Sequence, residues 1–279
     1  MKKIVFFNNK YINSKNAFIS YEDRGFQFAD SIYEVIAFIN NNFIDLDFHL
    51  RRLRRSLKLI DIKYSFNKKN LQKIFKKLIK INKNKKGLIY LQISRGVQPR
   101  NHSYNKNLKP TIIIYTIKKN LNENLDKLSG KKAITYPDLR WKRRDIKSVS
   151  LLPNVLAAKA ASKKSAYEAI LIDNDFVTEG TASNIWIVKK NKLITHPANT
   201  DILKGITRQS IVKIIKKEKL VLSEKKIKKS ELFIADEVFL TSSSSFVTPI
   251  VKIDNKLINK GRIGKITYNL AKIYNSKFQ

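Results

Sequence analysis

The 279-residue chain contains no cysteine, which excludes disulfides and thiolate metal sites. Its three histidines, His49, His102 and His196, are too widely spaced to suggest a zinc site. No apolar run approaches the roughly 20 residues needed to cross a bilayer. The opening Met1-Lys2-Lys3-Ile4-Val5-Phe6-Phe7 is cut short by Asn8-Asn9-Lys10, too early for a secretory leader. The expectation is a soluble, cytoplasmic protein with neither metal nor membrane partner. A dinucleotide fingerprint is also missing, so nothing argues for a parallel nucleotide-binding sheet.

Acidic residues are scarce. Lys and Arg number 57 against 22 Asp and Glu, a formal net charge of +35. That balance is also the footprint of nucleic-acid binding. The lysines are nevertheless spread along the whole chain among many Ile and Asn residues, the pattern of solvated positions rather than of one binding face. The charge then serves solubility or weak attraction of anionic ligands, with no specific nucleic acid expected. A basic nucleic-acid-binding protein stands as the alternative from another class.

What is present alternates between strand and helix patterns. Ile4–Phe7 and Lys10–Ile12 read as a hairpin around Asn8-Asn9, and Ser31–Ile39 as a strand turned by Asn40-Asn41-Asn42. Leu46, Leu50, Leu53 and Leu57 lie on one face of a helix over Asp45–Leu59. Leu71, Ile74, Phe75, Leu78 and Ile79 do the same over Asn70–Asn82. Strands follow at Gly87–Ser94 and Thr111–Ile117, then a polar stretch Lys118–Lys132 with the composition of a connection, which places a domain boundary near Leu121. The two domains are 1–120 and the larger 121–279. In the second, a helix is expected over Leu152–Glu168, a hairpin around Asp173-Asn174-Asp175, strands at Ile185–Val188, Leu193–Thr195, Glu237–Thr241 and Pro249–Ile253, and helices from Gly205 toward Lys217 and over Ile263–Tyr274. Strands joined by hairpins and grouped with helices indicate an α+β fold with mostly antiparallel sheets.

Four places combine special backbone residues with polar side chains: Asp23-Arg24-Gly25, Pro99-Arg100-Asn101-His102, Thr178–Asn184 and Thr241–Ser245. Taken singly, each has a plain reading. Asp23-Arg24-Gly25 fits a turn with a solvated ion pair, and Arg52 fits one of several arginines on an exposed helix face. A Ser/Thr run after a strand, and a helix opened by Gly205-Ile206-Thr207, fit either ordinary structure or an anion site made of hydroxyls and free N–H groups.

Taken together and in order, the segments resemble the class IV aminotransferases, fold type IV of the pyridoxal-phosphate enzymes. The matching segments begin with Glu22–Val35, His49-Leu50-Arg51-Arg52-Leu53, and Arg144-Asp145-Ile146-Lys147-Ser148 with Leu151–Asn154. They continue through Glu168–Leu171, Val177–Asn184, Ile202–Arg208 and Leu240–Ser243. The resemblance implies a two-domain fold with pyridoxal 5′-phosphate as cofactor. It makes Lys147 the Schiff-base lysine and general acid/base, carried by the larger C-terminal domain. Glu179 would contact the pyridine nitrogen, with Gly180 letting the loop approach the ring. Arg52, Gly205, Ile206, Thr207, Ser242 and Ser243 would hold the phosphate.

Within the family, Arg100 and His102 resemble the carboxylate trap of the D-amino acid aminotransferases, where Tyr33 joins them and the Arg and His come from the partner of a homodimer. The resemblance therefore implies D-alanine- or D-glutamate-type substrates and 2-oxoacids. The alternatives on the same scaffold are an L-branched-chain aminotransferase and an aminodeoxychorismate lyase. Two departures affect the pocket: Ala29-Asp30-Ser31 stands where many members have Gly-Asp-Gly, and Phe246 occupies a position that is often polar.

Overall fold

A computed structural model describes residues 3–121 and 124–278. They form two compact units, Met1–Asn120 with Ile146–Ser150, and Leu121–Asp145 with Leu151–Gln279.

The first unit contains β1 (Ile4–Phe7), β2 (Lys10–Asn13), α1 (Arg24–Phe28), β3 (Ser31–Ile39), β4 (Asn42–Phe43), α2 (Leu46–Leu59), α3 (Lys68–Ile81), β5 (Lys86–Ser94) and β6 (Thr111–Lys118). The strands form one antiparallel sheet in the order β2-β1-β6-β5-β3-β4. Period-2 alternation in β3 turns Ile32, Ile36 and Phe38 to one face, where Leu50, Leu53 and Leu57 of α2 and Leu71, Phe75 and Leu78 of α3 complete the core. Asn8-Asn9 and Asn40-Asn41 both take positive φ at two successive residues, the hairpin turn in which Asn tolerates the left-handed region.

The second unit contains β7 (Lys131–Pro137), α4 (Leu152–Lys163), β8 (Glu168–Asp173), β9 (Phe176–Gly180), β10 (Asn184–Lys189), β11 (Lys192–Thr195), α5 (Ile206–Lys217), β12 (Leu222–Glu224), β13 (Ile227–Lys228), α6 (Lys229–Phe233), β14 (Glu237–Ser242), β15 (Phe246–Ile253), β16 (Lys256–Leu257) and α7 (Lys265–Asn275). Its ten-stranded sheet runs β12-β11-β10-β14-β15-β7-β8-β9-β13, with β16 paired to β15. Most pairs are antiparallel; β11/β12, β15/β7 and β7/β8 are parallel. The β7-to-β8 connection carries α4, since parallel neighbours need a crossover. Helix α7 packs on β15, and α5 on β14 and α7. Among the described residues no helix is long and apolar enough to cross a membrane.

Three expectations are corrected. The helix expected over Leu152–Glu168 stops at Lys163: Ser165 takes φ +49°, Ala166 N–H bonds back to Ala161 O at 2.9 Å, and Glu168 begins β8 opposite Ala133. The polar stretch Lys118–Lys132 yields its last two lysines to β7. Lys147, expected in the larger domain by its place in the chain, lies in a segment that packs on the first unit. Tyr33 N–H donates to Lys147 O at 3.0 Å, Val149 N–H to Ser31 O at 3.1 Å, Ser148 bridges Ile32, and Ile146 is buried in the first core. This segment pairs with the start of β3 where β4, bonded only at Phe38 and Ile39, does not reach.

Both departures from the family pattern sit at left-handed backbone: Ala29 at φ +55° as the cap of α1, and Phe246 at φ +58°. A side chain there costs roughly 1–2 kcal/mol relative to glycine. Phe246 is fully buried against Tyr274 and Phe278, so it belongs to the core of the second unit.

Candidate active site

In the first unit the inward face of β3 carries one acid, Glu34, 1% exposed among Ile32, Ile36 and Phe38. It survives there because α2 brings two partners over it, His49 and Arg52, three residues apart along one helical face. Arg52 donates from Nε to Glu34 Oε1 and from NH2 to Oε2, each at 2.8 Å, and His49 Nδ1 lies 2.6 Å from Oε2. Burial pushes the Glu34 carboxyl up, but the Arg52 charge and the hydrogen bonds of Arg52 and His49 overcome it and hold it at about 2. Burial depresses His49, with Arg52 and Lys147 adding to the effect against the Glu34 contact. Arg52 is therefore no member of an exposed arginine face.

On the opposite side of β3, Tyr33 stacks on Tyr90, which stacks on Tyr115. The half-buried Lys147 places Nζ 4.2 Å from the centroid of the Tyr33 ring. The first unit thus brings Tyr33 and Lys147 together through the backbone pairing described above. Arg100 and His102 lie exposed on the loop after β5, stacked against Phe28 of α1.

In the second unit, Glu179 is the last residue but one of β9, 4% exposed. Its carboxylate accepts from Arg140 NH1, from Asn184 Nδ2 at 3.0 Å, and from the Leu203 N–H at 3.2 and 3.1 Å. Arg140 is itself gripped by Asp138, with Nε to Oδ1 at 2.9 Å and NH2 to Oδ2 at 2.7 Å. Burial pushes Glu179 up and the Arg140 charge pulls against it. Every one of these partners is a donor, a set that fits the ionised acceptor. Gly180 has a second reason to be glycine: a Cβ would lie 2.3 Å from Glu168 Oε1 and 2.4 Å from Ser183 Oγ. Glu168 is buried and holds the following turn by accepting from the Ala182 N–H and Ser183 Oγ.

Helix α5 starts at Gly205 with no side-chain cap, which leaves its first N–H groups without intrahelical partners. Thr207, 1% exposed, has a hydroxyl with no hydrogen-bond partner. A buried orphan hydroxyl beside open amides fits a phosphate. Asn184 ties this start to Glu179: its Nδ2 also bonds Leu203 O at 2.9 Å, and its Oδ1 would meet a Gly205 Cβ at 2.0 Å. Asn184 faces Thr241 across β10 and β14, and the half-buried Ser242 and Ser243 follow, with Ser242 Oγ 2.7 Å from Ser245 Oγ. Among the described residues no cluster of three or more metal-ligating side chains occurs.

Each unit by itself carries features that fit the pyridoxal 5′-phosphate that the resemblance implies: the first an amine at Lys147, the second a buried acceptor for a protonated ring nitrogen at Glu179 and a phosphate seat at Gly205–Thr207. Sequence reasoning missed Arg140, Asp138, Glu34 and His49 as participants. Only Glu34 carried a signal, as an acid at an inward position of an alternating strand. Gly205→Ala is expected to weaken cofactor affinity about tenfold or more, because the methyl displaces Asn184 from both Glu179 and the helix start. Titration of the apoprotein with pyridoxal phosphate measures it; unchanged affinity would remove Gly205–Thr207 as the phosphate seat.

A family model described as amino-transferase class IV matches residues 31–253. A D-alanine aminotransferase of Bacillus licheniformis is 41% identical over 266 residues, covering 95% of this chain and 94% of that protein. Another from Staphylococcus epidermidis is 39% identical over 277 residues, covering 99% and 98%. The crystal structure of the Escherichia coli branched-chain amino acid aminotransferase superposes with a TM-score of 0.91 over 100% of this chain and 95% of that one; at 21% identity the likeness is one of fold.

Proposed function

The chain belongs to the class IV aminotransferases, and on that premise we propose that it transfers the amino group of D-alanine- and D-glutamate-type substrates to 2-oxoacids such as pyruvate or 2-oxoglutarate. It is an aminotransferase, its substrates are amino acids and oxoacids, and its cofactor is pyridoxal 5′-phosphate. The observation that carries the D-specific reading is the Arg-Asn-His sequence at 100–102, exposed on a mounted loop, in a chain about 40% identical to D-alanine aminotransferases over nearly its full length.

When bound, the cofactor supplies a carbonyl that takes up the amino group and a cationic ring that withdraws electrons from the substrate Cα. Lys147 Nζ would hold the cofactor and take up the proton released from the substrate Cα. Glu179 accepts a hydrogen bond from the ring nitrogen and keeps it cationic. Arg52, the Gly205–Thr207 amides and hydroxyl, and Ser242-Ser243 hold the phosphate. Arg100 takes the α-carboxylate through parallel N–H bonds, with His102 and the Tyr33 hydroxyl beside it. Where the carboxylate is anchored decides which enantiomer turns its Cα–H to Lys147. The chain works as a homodimer in which each subunit gives Arg100 and His102 to the other's site.

Arg100→Ala is expected to raise the KM for D-alanine about ten- to hundredfold while cofactor absorbance stays intact. An unchanged KM removes the trap. Consumption of L-leucine in place of D-alanine by the parent enzyme moves the function to the branched-chain type, and pyruvate release from aminodeoxychorismate moves it to the lyase type.

A further inference from the structure

The Asp23-Arg24-Gly25 segment enters none of the roles above, yet the structure gives it more contacts than a surface turn needs. Arg24 is 4% exposed and Asp23 3%. Arg24 reaches from α1 across to the loop after β5: NH1 donates to Asn101 O at 2.5 Å and NH2 to His102 O at 3.0 Å. Its Nε donates to Asp30 Oδ2 at 2.9 Å. Asp30 in turn is held by Arg95, Nε to Oδ2 at 2.6 Å and NH2 to Oδ1 at 2.9 Å. The Arg24 side chain lies over Phe28, 4.8 Å from its centroid, while the Arg100 guanidinium lies 4.6 Å from that centroid and the His102 ring 5.4 Å away.

We propose that α1 is the mount of the carboxylate trap, with Arg24 and Phe28 acting as positioning residues that set the direction of Arg100 and His102. This rests on the D-specific reading above and deepens it. The two carbonyls that Arg24 grips belong to Asn101 and to His102, so one rigid guanidinium fixes both peptide planes that flank His102 and holds the chain one residue beyond Arg100. Asp30 fixes that guanidinium, and Arg95, bonded also to the carbonyls of Ile60 and Asp61 beyond α2, fixes Asp30. The loop is closed at its neck by Gln98, which bonds Ser103 O at 2.7 Å and the Asn105 N–H at 2.9 Å. Phe28 then gives the Arg100 guanidinium a flat face to lie on without consuming its N–H donors, which stay directed at a carboxylate. An exposed arginine on an untethered loop would lose that orientation to side-chain and loop entropy with each binding event.

The test is a mutant cycle on the holoenzyme with D-alanine and 2-oxoglutarate. Arg24→Ala is expected to raise the KM for D-alanine about tenfold with kcat and cofactor absorbance near those of the parent, since two charge-assisted bonds to the loop are lost while Asp30 keeps its two bonds from Arg95. In an Arg100→Ala/His102→Ala background the same change is expected to add less than about twofold, because nothing remains to be positioned. Arg24→Lys, which keeps the charge but not the fork, gives an intermediate KM. Phe28→Leu leaves every Arg24 bond in place, raises the same KM severalfold, and carries the test where Arg24→Ala does not fold. An equal rise with and without Arg100 and His102 overturns the positioning role, as does an unchanged KM in both Arg24→Ala and Phe28→Leu. A normal KM in the Arg100→Ala/His102→Ala parent overturns the trap itself, and with it this role.

Discussion

Lys147→Ala protein is expected to lose transamination by a factor of about 10,000 or more, together with the absorbance of lysine-bound cofactor. Both losses come from one atom. In the proposed mechanism Nζ is both the nucleophile that holds the cofactor and the base that moves the Cα proton, and its position is set by backbone rather than by chance. The Tyr33 N–H to Lys147 O bond and the Ser148 bridge to Ile32 fix the segment on β3. The side chain then lies over the Tyr33 ring. Alanine preserves that backbone pairing, so the variant should fold with parent-like circular dichroism and melting. Turnover of D-alanine at the parent rate would sink the assignment. The same variant also tests the homodimer: mixed with Arg100→Ala/His102→Ala chains, it should regain part of the activity, because a hybrid pairs one intact lysine with the trap from the other subunit. A mixture that at low D-alanine is no more active than the Arg100→Ala/His102→Ala chains alone would place trap and lysine on one chain.

Glu179→Gln is the second large effect, a fall in kcat of about 100- to 1,000-fold, the size seen when one preorganised electrostatic contact to the reacting system is removed. In the proposed role of Glu179, the amide loses the charge that would keep the ring nitrogen protonated. It also turns an NH2 toward a shell made of donors, Arg140, Asn184 and the Leu203 N–H, so at least one buried donor is left facing another. Exchange of the Cα proton of D-alanine with solvent deuterium isolates the step, and a parent-like exchange rate would remove Glu179 from it. Glu179→Asp, which keeps the charge at a shorter reach, should recover part of the loss.

Much of this was legible in the sequence because it rests on short-range rules. The Leu46–Leu57 and Leu71–Ile79 stripes, the alternation in Ser31–Ile39 and the Asn pairs each encode their own local geometry. The elements that escaped are those whose identity is settled at a distance. Strand β7, opening with Lys131-Lys132, reads as polar connection until β15 and β8 pair with it on either side. Helices α1 and α6, five residues each, are too short to show a period. Glu168 reads as the end of a helix, yet β8 takes it.

The site divides the same way. Motif order named Lys147, Glu179 and the Gly205–Thr207 start, and folding placed Thr207 with an orphan hydroxyl at that start. Arg140 could not be chosen among 57 basic residues, because its role depends on Asp138 and Glu179 meeting it from 2 and 39 positions away. Arg24 looked like half of a solvated pair, and only the return of the chain at Asn101 and His102, 77 and 78 residues later, gives its donors their acceptors.

The first unit is discontinuous in the chain: its sheet and both large helices are complete by Asn120, but the five residues that pair with the start of β3 arrive only at Ile146–Ser150. During synthesis the edge of β3 at Ser31–Tyr33 therefore waits, without this pairing, until the ribosome has made the stretch between β7 and α4. The nascent protein can form a nearly finished first unit and still lack its reactive amine. Competence for chemistry thus comes late in folding, when a loop from further along the chain docks as the last strand-like piece.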